Sequence, residues 1–119
     1  MKRILLFISF LTSFVSLNAQ SDYYMHQARS YQREAEYYTK QAQGYDREAD
    51  YYNRQAQGYL REAEYYSKRE KYDQVRTYQH KAEAATAKAE SYKRKANSAR
   101  DKAKSYMRKA ENALQNAKK

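Results

Sequence analysis

Residues 37–64 read YYTKQAQGYDREADYYNRQAQGYLREAE, two copies of one fourteen-residue unit placed end to end. A looser copy begins at Tyr23, and a further copy begins at Tyr65 and then decays. The unit is two heptads long, and a short period repeated in this way is typical of helical arrays that grow by duplication. The stretch therefore indicates a long, repetitive helix.

Within this stretch alanine and tyrosine alternate at spacings of three and four residues, with alanine at heptad position a and tyrosine at position d. This spacing predicts a helix that buries one narrow stripe, or seam, against another helix, as in a coiled coil. The predicted self-association seam of the first half comprises Tyr24, Ala28, Tyr31, Ala35, Tyr38, Ala42, Tyr45, Ala49, Tyr52, Ala56, Tyr59 and Ala63.

The pattern loses phase after Ala63, because Glu70 and Asp73 fall where apolar residues are expected. A second register, mostly alanine, then runs from Val75 to Ala117. Its predicted self-association positions are Ala82, Ala89, Ala96, Ala103 and Ala110. We therefore divide the mature chain into a Tyr/Ala repeat helix at 20–67, a phase break or turn at 68–74, and a basic alanine zipper at 75–119.

Two arrangements fit this division: an antiparallel helical hairpin, or one long helix that staggers with other chains. The phase reset favours the hairpin, whereas the absence of Gly and Pro near residue 70 favours the continuous helix. In both arrangements the fold class is all-α. The apolar contacts must come from alanine and tyrosine, which favours long helices packed side by side over a globular core. Leu60, Val75 and Leu114 are the only Ile, Leu, Val or Phe residues after position 19.

The first nineteen residues have the layout of a signal peptide. Lys2 and Arg3 precede an apolar run from Ile4 to Leu17, and a cut is expected after Ala19. The run is shorter than the ~20 residues that a bilayer-spanning helix needs. We expect an extracellular protein, or a periplasmic or cell-envelope one in a bacterium, with no transmembrane span after cleavage. The chain has no cysteine, so no disulfide is expected in that compartment.

Charge divides between the halves: residues 20–64 carry six basic and eight acidic side chains, and residues 65–119 carry sixteen and six. The basic half is expected to prefer the acidic half as its helical partner, and it also suits anionic matrix polymers. Nucleic acid is not expected as a partner of an exported chain. The predicted polyanion-binding residues flank the second seam: Lys88, Lys93, Lys95, Arg100, Lys102 and Lys109.

Position c of the repeat alternates between tyrosine and a small residue, including Gly44 and Gly58. Tyrosines at c are hard to bury in a two-helix contact, so their phenols are candidates for stacking or oxidative cross-linking between molecules. They are Tyr23, Tyr37, Tyr51 and Tyr65. The glycines suggest a ladder of bumps and hollows, or a tolerated residue that duplication copied.

No catalytic, cofactor-binding or metal-ligating motif is recognisable, since His26 and His80 are isolated from the residues that build such sites. In architecture the chain resembles coiled-coil silks and other secreted matrix proteins with alanine-rich seams. It also resembles bacterial murein lipoproteins, exported helices that end in lysine, although the lipid-bearing cysteine is absent. We expect a non-enzymatic structural protein that self-associates in an extracellular matrix or fibre. The alternative is an exported helical module that docks on an anionic polysaccharide, envelope polymer or membrane surface.

Overall fold

The computed structural model describes residues 19–119, and these form two long α-helices without a strand. Helix α1 is Ala19–Lys68, with 50 residues, and helix α2 is Tyr72–Lys118, with 47 residues. The all-helical prediction is confirmed for this part of the chain. The predicted signal peptide lies outside the described residues, apart from Ala19.

The helices follow from composition and from local charge placement. Ala, Glu, Gln, Lys and Arg dominate both segments, and proline is absent. Near the end of α1 the ammonium of Lys68 lies 3.6 Å from a carboxylate oxygen of Glu64, one turn earlier. This acid-before-base order suits the helix dipole and contributes about 0.2–0.5 kcal/mol at an exposed position.

Helix α1 ends in a tight turn centred on Glu70, whose φ of 57° lies in the left-handed region. The Lys71 N–H donates to the Tyr66 carbonyl at 3.0 Å, and the Glu70 N–H donates to the Ser67 carbonyl at 3.0 Å. This pair of bonds typically closes a helix around a left-handed residue, which is usually glycine. A glutamate does so here, which is why the absence of glycine near residue 70 misleads.

Helix α2 begins at once after this turn. The Lys71 carbonyl accepts hydrogen bonds from the Gln74 and Val75 N–H groups, both at 3.1 Å. Asp73 lies in the first turn of α2, where a carboxylate is favoured by the helix dipole, and it pairs with Arg76. Three residues, 69–71, therefore suffice to reverse the chain between the helices.

The chain divides into two compact units. The first unit pairs the start of α1, up to Thr39, with the end of α2 from Arg100. Its end is closed by Met25, Ala28, Ala113 and Leu114, which pack together in the core. The Ser21 hydroxyl donates a 2.8 Å hydrogen bond to the Ala117 carbonyl, joining the two helices across 96 positions of sequence.

The second unit, Lys40–Ala99, contains the turn and the helix segments on either side of it. Tyr45 contacts Tyr92, whereas Tyr66 contacts Tyr78, so numbers rise along α1 as they fall along α2. The two helices are thus antiparallel in this unit. No helix within residues 19–119 is both long enough and apolar enough to cross a membrane.

Candidate self-association and polyanion-binding surfaces

The seam between the helices is lined by buried alanines. All the alanines predicted at position a of α1 are at most 5% exposed, and so are those predicted in α2. Ala85, Ala99 and Ala113, at position d of α2, are buried as well. Alanine lets the backbones approach closely, but each methyl removed from water contributes only about 0.8 kcal/mol. The tyrosines must supply much of the remaining contact.

In the first unit one tyrosine of α2 lies between two tyrosines of α1. The Tyr106 ring is stacked on Tyr38, with centroids 5.7 Å apart and planes inclined by 6°. On its other side it meets Tyr31 at 6.1 Å and 33°. Offset and tilted ring pairs of this kind are worth about 0.5–1.5 kcal/mol beyond their buried area. We call such a group a tyrosine triad.

The second unit contains two more triads with nearly the same geometry. Tyr92 is stacked on Tyr52 at 5.7 Å and meets Tyr45 at 6.1 Å. Tyr78 is stacked on Tyr66 at 5.5 Å and meets Tyr59 at 6.2 Å. All the seam tyrosines predicted in α1 are half-buried. The fourteen-residue period of α1 thus has a counterpart in α2, whose tyrosines at 78, 92 and 106 share that spacing.

Lysines of α2 lie over the triads, at heptad position g. The Lys95 ammonium is 5.0 Å from the centroid of Tyr92 and 5.9 Å from that of Tyr45. Lys109 lies likewise over Tyr106 and Tyr31, at 4.9 and 5.9 Å. A cation within about 6 Å of a ring centroid is attracted by the ring's quadrupole. The lysines that show this contact, which we call the lysine row, are Lys81, Lys88, Lys95, Lys102 and Lys109.

Four of the six predicted polyanion-binding residues lie over tyrosine rings. Lys88, Lys95, Lys102 and Lys109 are exposed and lie over tyrosine rings. Lys93 and Arg100 are also exposed but occupy position e, on the opposite flank of the α2 seam. Lys81 belongs to the lysine row, and the prediction missed it. Its seven-residue spacing from Lys88 was the signal in the sequence that would have found it.

The tyrosines at position c are the most exposed aromatic residues of α1. Tyr23, Tyr37, Tyr51 and Tyr65 retain 47–58% of their surface. Each lies edge-on against the seam tyrosine that follows it, with centroids 5.1–5.3 Å apart. We call these four residues the outer tyrosine row.

Polar neighbours hold part of the outer tyrosine row in place. The Gln55 side-chain amide donates to the Tyr51 hydroxyl at 2.8 Å, and Gln27 does the same for Tyr23 at 3.0 Å. The Arg69 guanidinium lies 3.7 Å from the centroid of Tyr65. The rings are thus oriented while one face or edge stays open to solvent.

The two glycines at position c have no conformational or packing requirement within the chain. Neither has a positive φ. A Cβ at Gly44 would come no closer than 4.0 Å to the Arg47 guanidinium, and one at Gly58 would lie 3.9 Å from that of Arg61. Both distances are ordinary van der Waals contacts. Glycine inside a helix nevertheless costs about 1 kcal/mol relative to alanine.

Residues 19–119 contain no group of three or more side chains positioned to bind a metal ion. His80 lies 3.7 Å from a carboxylate oxygen of Glu83 on the same exposed helix face. Comparison with known protein families, with curated proteins and with solved structures finds no match to this chain.

Proposed function

We propose that this chain is a non-enzymatic structural protein that self-associates outside the cell, in a matrix or fibre, or in the envelope of a bacterium. The outer tyrosine row carries the proposal. Four large aromatic side chains at a fourteen-residue spacing remain about half exposed although the same helix has a buried seam. Exposed aromatic side chains arranged in this regular way are typical of a surface that meets a partner.

The energetics of the seam support association. The buried seam consists mainly of alanine, and Met25 and Leu114 are the only larger apolar side chains buried in residues 19–119. Most helical stability in proteins comes from packing an apolar face, and here that face buries little beyond alanine methyl groups and half-buried tyrosine rings. Contact with further copies would add the area that the isolated chain lacks.

Sedimentation of residues 20–119 over a range of concentrations tests this proposal. We expect the weight-average mass to rise with concentration, and Tyr51→Gln to weaken that rise. Tyr72→Gln is a matched control, because Tyr72 is 59% exposed but lies outside the outer tyrosine row. A chain that stays monomeric at high concentration, at both low and high salt, would refute self-association.

Oxidative coupling is a natural extension of this role. A peroxidase with hydrogen peroxide removes one electron and one proton from each of two phenols, and the radicals join through a new carbon–carbon bond while the peroxide is reduced to water. The outer tyrosine row should react first because its rings are exposed. Dityrosine fluorescence and peptide mapping would show which positions couple, and coupling confined to the triads would contradict this assignment.

The lysine row favours a second candidate function, binding of an anionic polymer. Lys88, Lys95, Lys102 and Lys109 repeat every seven residues, and each is exposed while held over a ring. Ordered cations within each unit suit a polymer with repeated negative groups, and the affinity for such a polymer should fall steeply with salt.

Titration with dextran sulfate would test the second candidate. Changing these four lysines to glutamine should weaken binding far more than the same change at Arg33, Lys40, Arg47 and Arg54, which removes equal charge from α1. Equal losses in the two variants would show that only net charge matters, and the row would then have no special role.

A further inference from the structure

Gly44 and Gly58 alternate with Tyr51 and Tyr65 along position c of α1, at seven-residue intervals within the second unit. The tyrosines project as exposed rings, retaining 53% and 47% of their surface. The glycines leave hollows between them, since nothing but a distant arginine tip borders the space that a Cβ would fill. The exposed face of α1 in this unit is thus a regular series of bumps and hollows.

We infer that these hollows receive the outer tyrosines of a second copy of this chain. The inference rests on the proposed self-association and specifies the surface involved. This part of the row is complementary to itself, because an offset of seven residues sets Tyr51 and Tyr65 of one copy against Gly44 and Gly58 of the other. A second copy of the same surface matches these hollows because its tyrosines and glycines have the same period and lie on one helix face.

Each hollow also has a cation suited to an incoming ring. The guanidinium tips of Arg47 and Arg61 lie about one van der Waals contact from the missing Cβ atoms of Gly44 and Gly58. A tyrosine ring resting on either glycine would therefore lie beside a guanidinium group. The same unit already contains this pairing, where Arg69 lies 3.7 Å from the centroid of Tyr65.

Charges beside the row indicate the direction of the two α1 helices. Position f on one side is basic, with Arg47, Arg54 and Arg61, whereas Glu48 and Glu62 lie at position g on the other side. Parallel helices bring the f side of one copy to the g side of the next, so opposite charges meet. Antiparallel helices would bring the arginines of both copies together, which is unfavourable.

The glycines offer a test in which stability and association move in opposite directions. The variant Gly44→Ala with Gly58→Ala should unfold at a higher temperature, because alanine favours the helix and its Cβ fits the chain. The same methyl groups should obstruct the incoming rings and raise the Kd of association about tenfold or more. Each tenfold increase corresponds to about 1.4 kcal/mol of binding free energy. Circular dichroism and sedimentation measure the two effects.

The double variant Gln43→Ala with Gln57→Ala is the matched control. These residues directly precede Gly44 and Gly58 and are exposed on α1, but they lie outside position c. This variant should leave association unchanged. Tyr51→Ala with Tyr65→Ala should weaken association as the glycine variant does, and combining both pairs should add little further loss. Association that survives the glycine variant unchanged would overturn the docking inference alone, whereas a monomeric wild type would overturn the proposed function as well.

Discussion

Glu70 lies at the centre of the turn that ends helix α1 and leads to α2, although glycine and proline are absent from this part of the chain. Its left-handed φ of 57° places the Glu70 and Lys71 N–H groups against the last carbonyls of α1. A side chain with a Cβ pays about 1–2 kcal/mol for this conformation, which glycine adopts freely. The turn is therefore built from hydrogen bonds in spite of its residue type.

Replacing this residue should stabilise the protein. We expect Glu70→Gly to raise the free energy of unfolding by about 0.5–1 kcal/mol, because relief of the left-handed strain outweighs the added freedom of the unfolded chain. Urea denaturation followed by circular dichroism measures the change. Arg69→Gly, at a neighbouring turn residue whose φ is not positive, should lower stability instead, and a gain at both positions would contradict the explanation.

Lys95 tests the contribution of the lysine row to folding. Its ammonium faces the rings of Tyr92 and Tyr45, so we expect Lys95→Gln to cost about 0.5–1 kcal/mol of stability. Lys93→Gln removes the same charge at exposed position e and should change stability by less than about half of that amount. Equal effects at both lysines would mean that the rings contribute nothing to the stability that Lys95 provides.

At the scale of the helices, each triad takes two tyrosine rings from α1 and one from α2. Helix α1 has a tyrosine at every position d of its seam, whereas α2 alternates tyrosine with alanine at position d. Each α2 ring therefore fills the space between two α1 rings, and the small alanines accommodate the rest. Within each triad the contact between the helices is therefore made by tyrosine rings.

This division predicts that the central ring of a triad matters more than an outer one. Tyr92→Ala removes both a stacked and a tilted contact and should cost about 2 kcal/mol, because the ring is only half-buried and a fully buried aromatic would cost about 3–5 kcal/mol. Tyr51→Ala, on the exposed row, should cost well under half as much. Thermal denaturation of dilute protein compares the two, and equal losses would contradict the triad as the stabilising unit.

The sequence predicts the helices and the alanine stripe well, because helix period and propensity are local properties. The residue types do not decide between a reversal at residues 69–71 and a continuous helix, since a left-handed glutamate leaves no recognisable trace in them. The sequence pattern does not predict the tyrosine triads, for a different reason. The α2 tyrosines are sparse, and only their shared spacing with α1, at 78, 92 and 106, reveals that they belong to one repeat.

At the scale of the whole molecule, charge is distributed unevenly between the helices. Helix α1 carries seven basic and eight acidic side chains, whereas α2 carries twelve and five. An almost neutral helix attracts a strongly basic one only weakly, so repulsion within α2 is the larger effect. The ion pairs Lys68–Glu64 and Arg76–Asp73 lie within single helices and do not offset it.

Added salt should therefore stabilise the fold. Raising sodium chloride from about 0.01 to about 0.5 M shortens the screening length to a few ångströms, which reduces the repulsion along α2. We expect Tm to increase by about 4–8 °C if roughly 1 kcal/mol of repulsion is removed. Calorimetry at a concentration where the protein is monomeric measures this. A falling Tm would indicate instead that attraction between the acidic and basic halves holds the helices together.

The short turn has a consequence for alignment. Because α1 tyrosines recur every seven residues, an α2 segment freed from its tether would find equivalent partners one heptad up or down, with Tyr78 between Tyr52 and Tyr59 instead of Tyr59 and Tyr66. The three-residue connection at 69–71 removes that degeneracy, together with the Ser21–Ala117 hydrogen bond and the cluster that contains Met25 and Leu114. A protease that cut the connection would release two helices that can pair in a shifted register. Such pairs have overhanging ends, and these ends can bind further helices and join the pairs into a longer assembly.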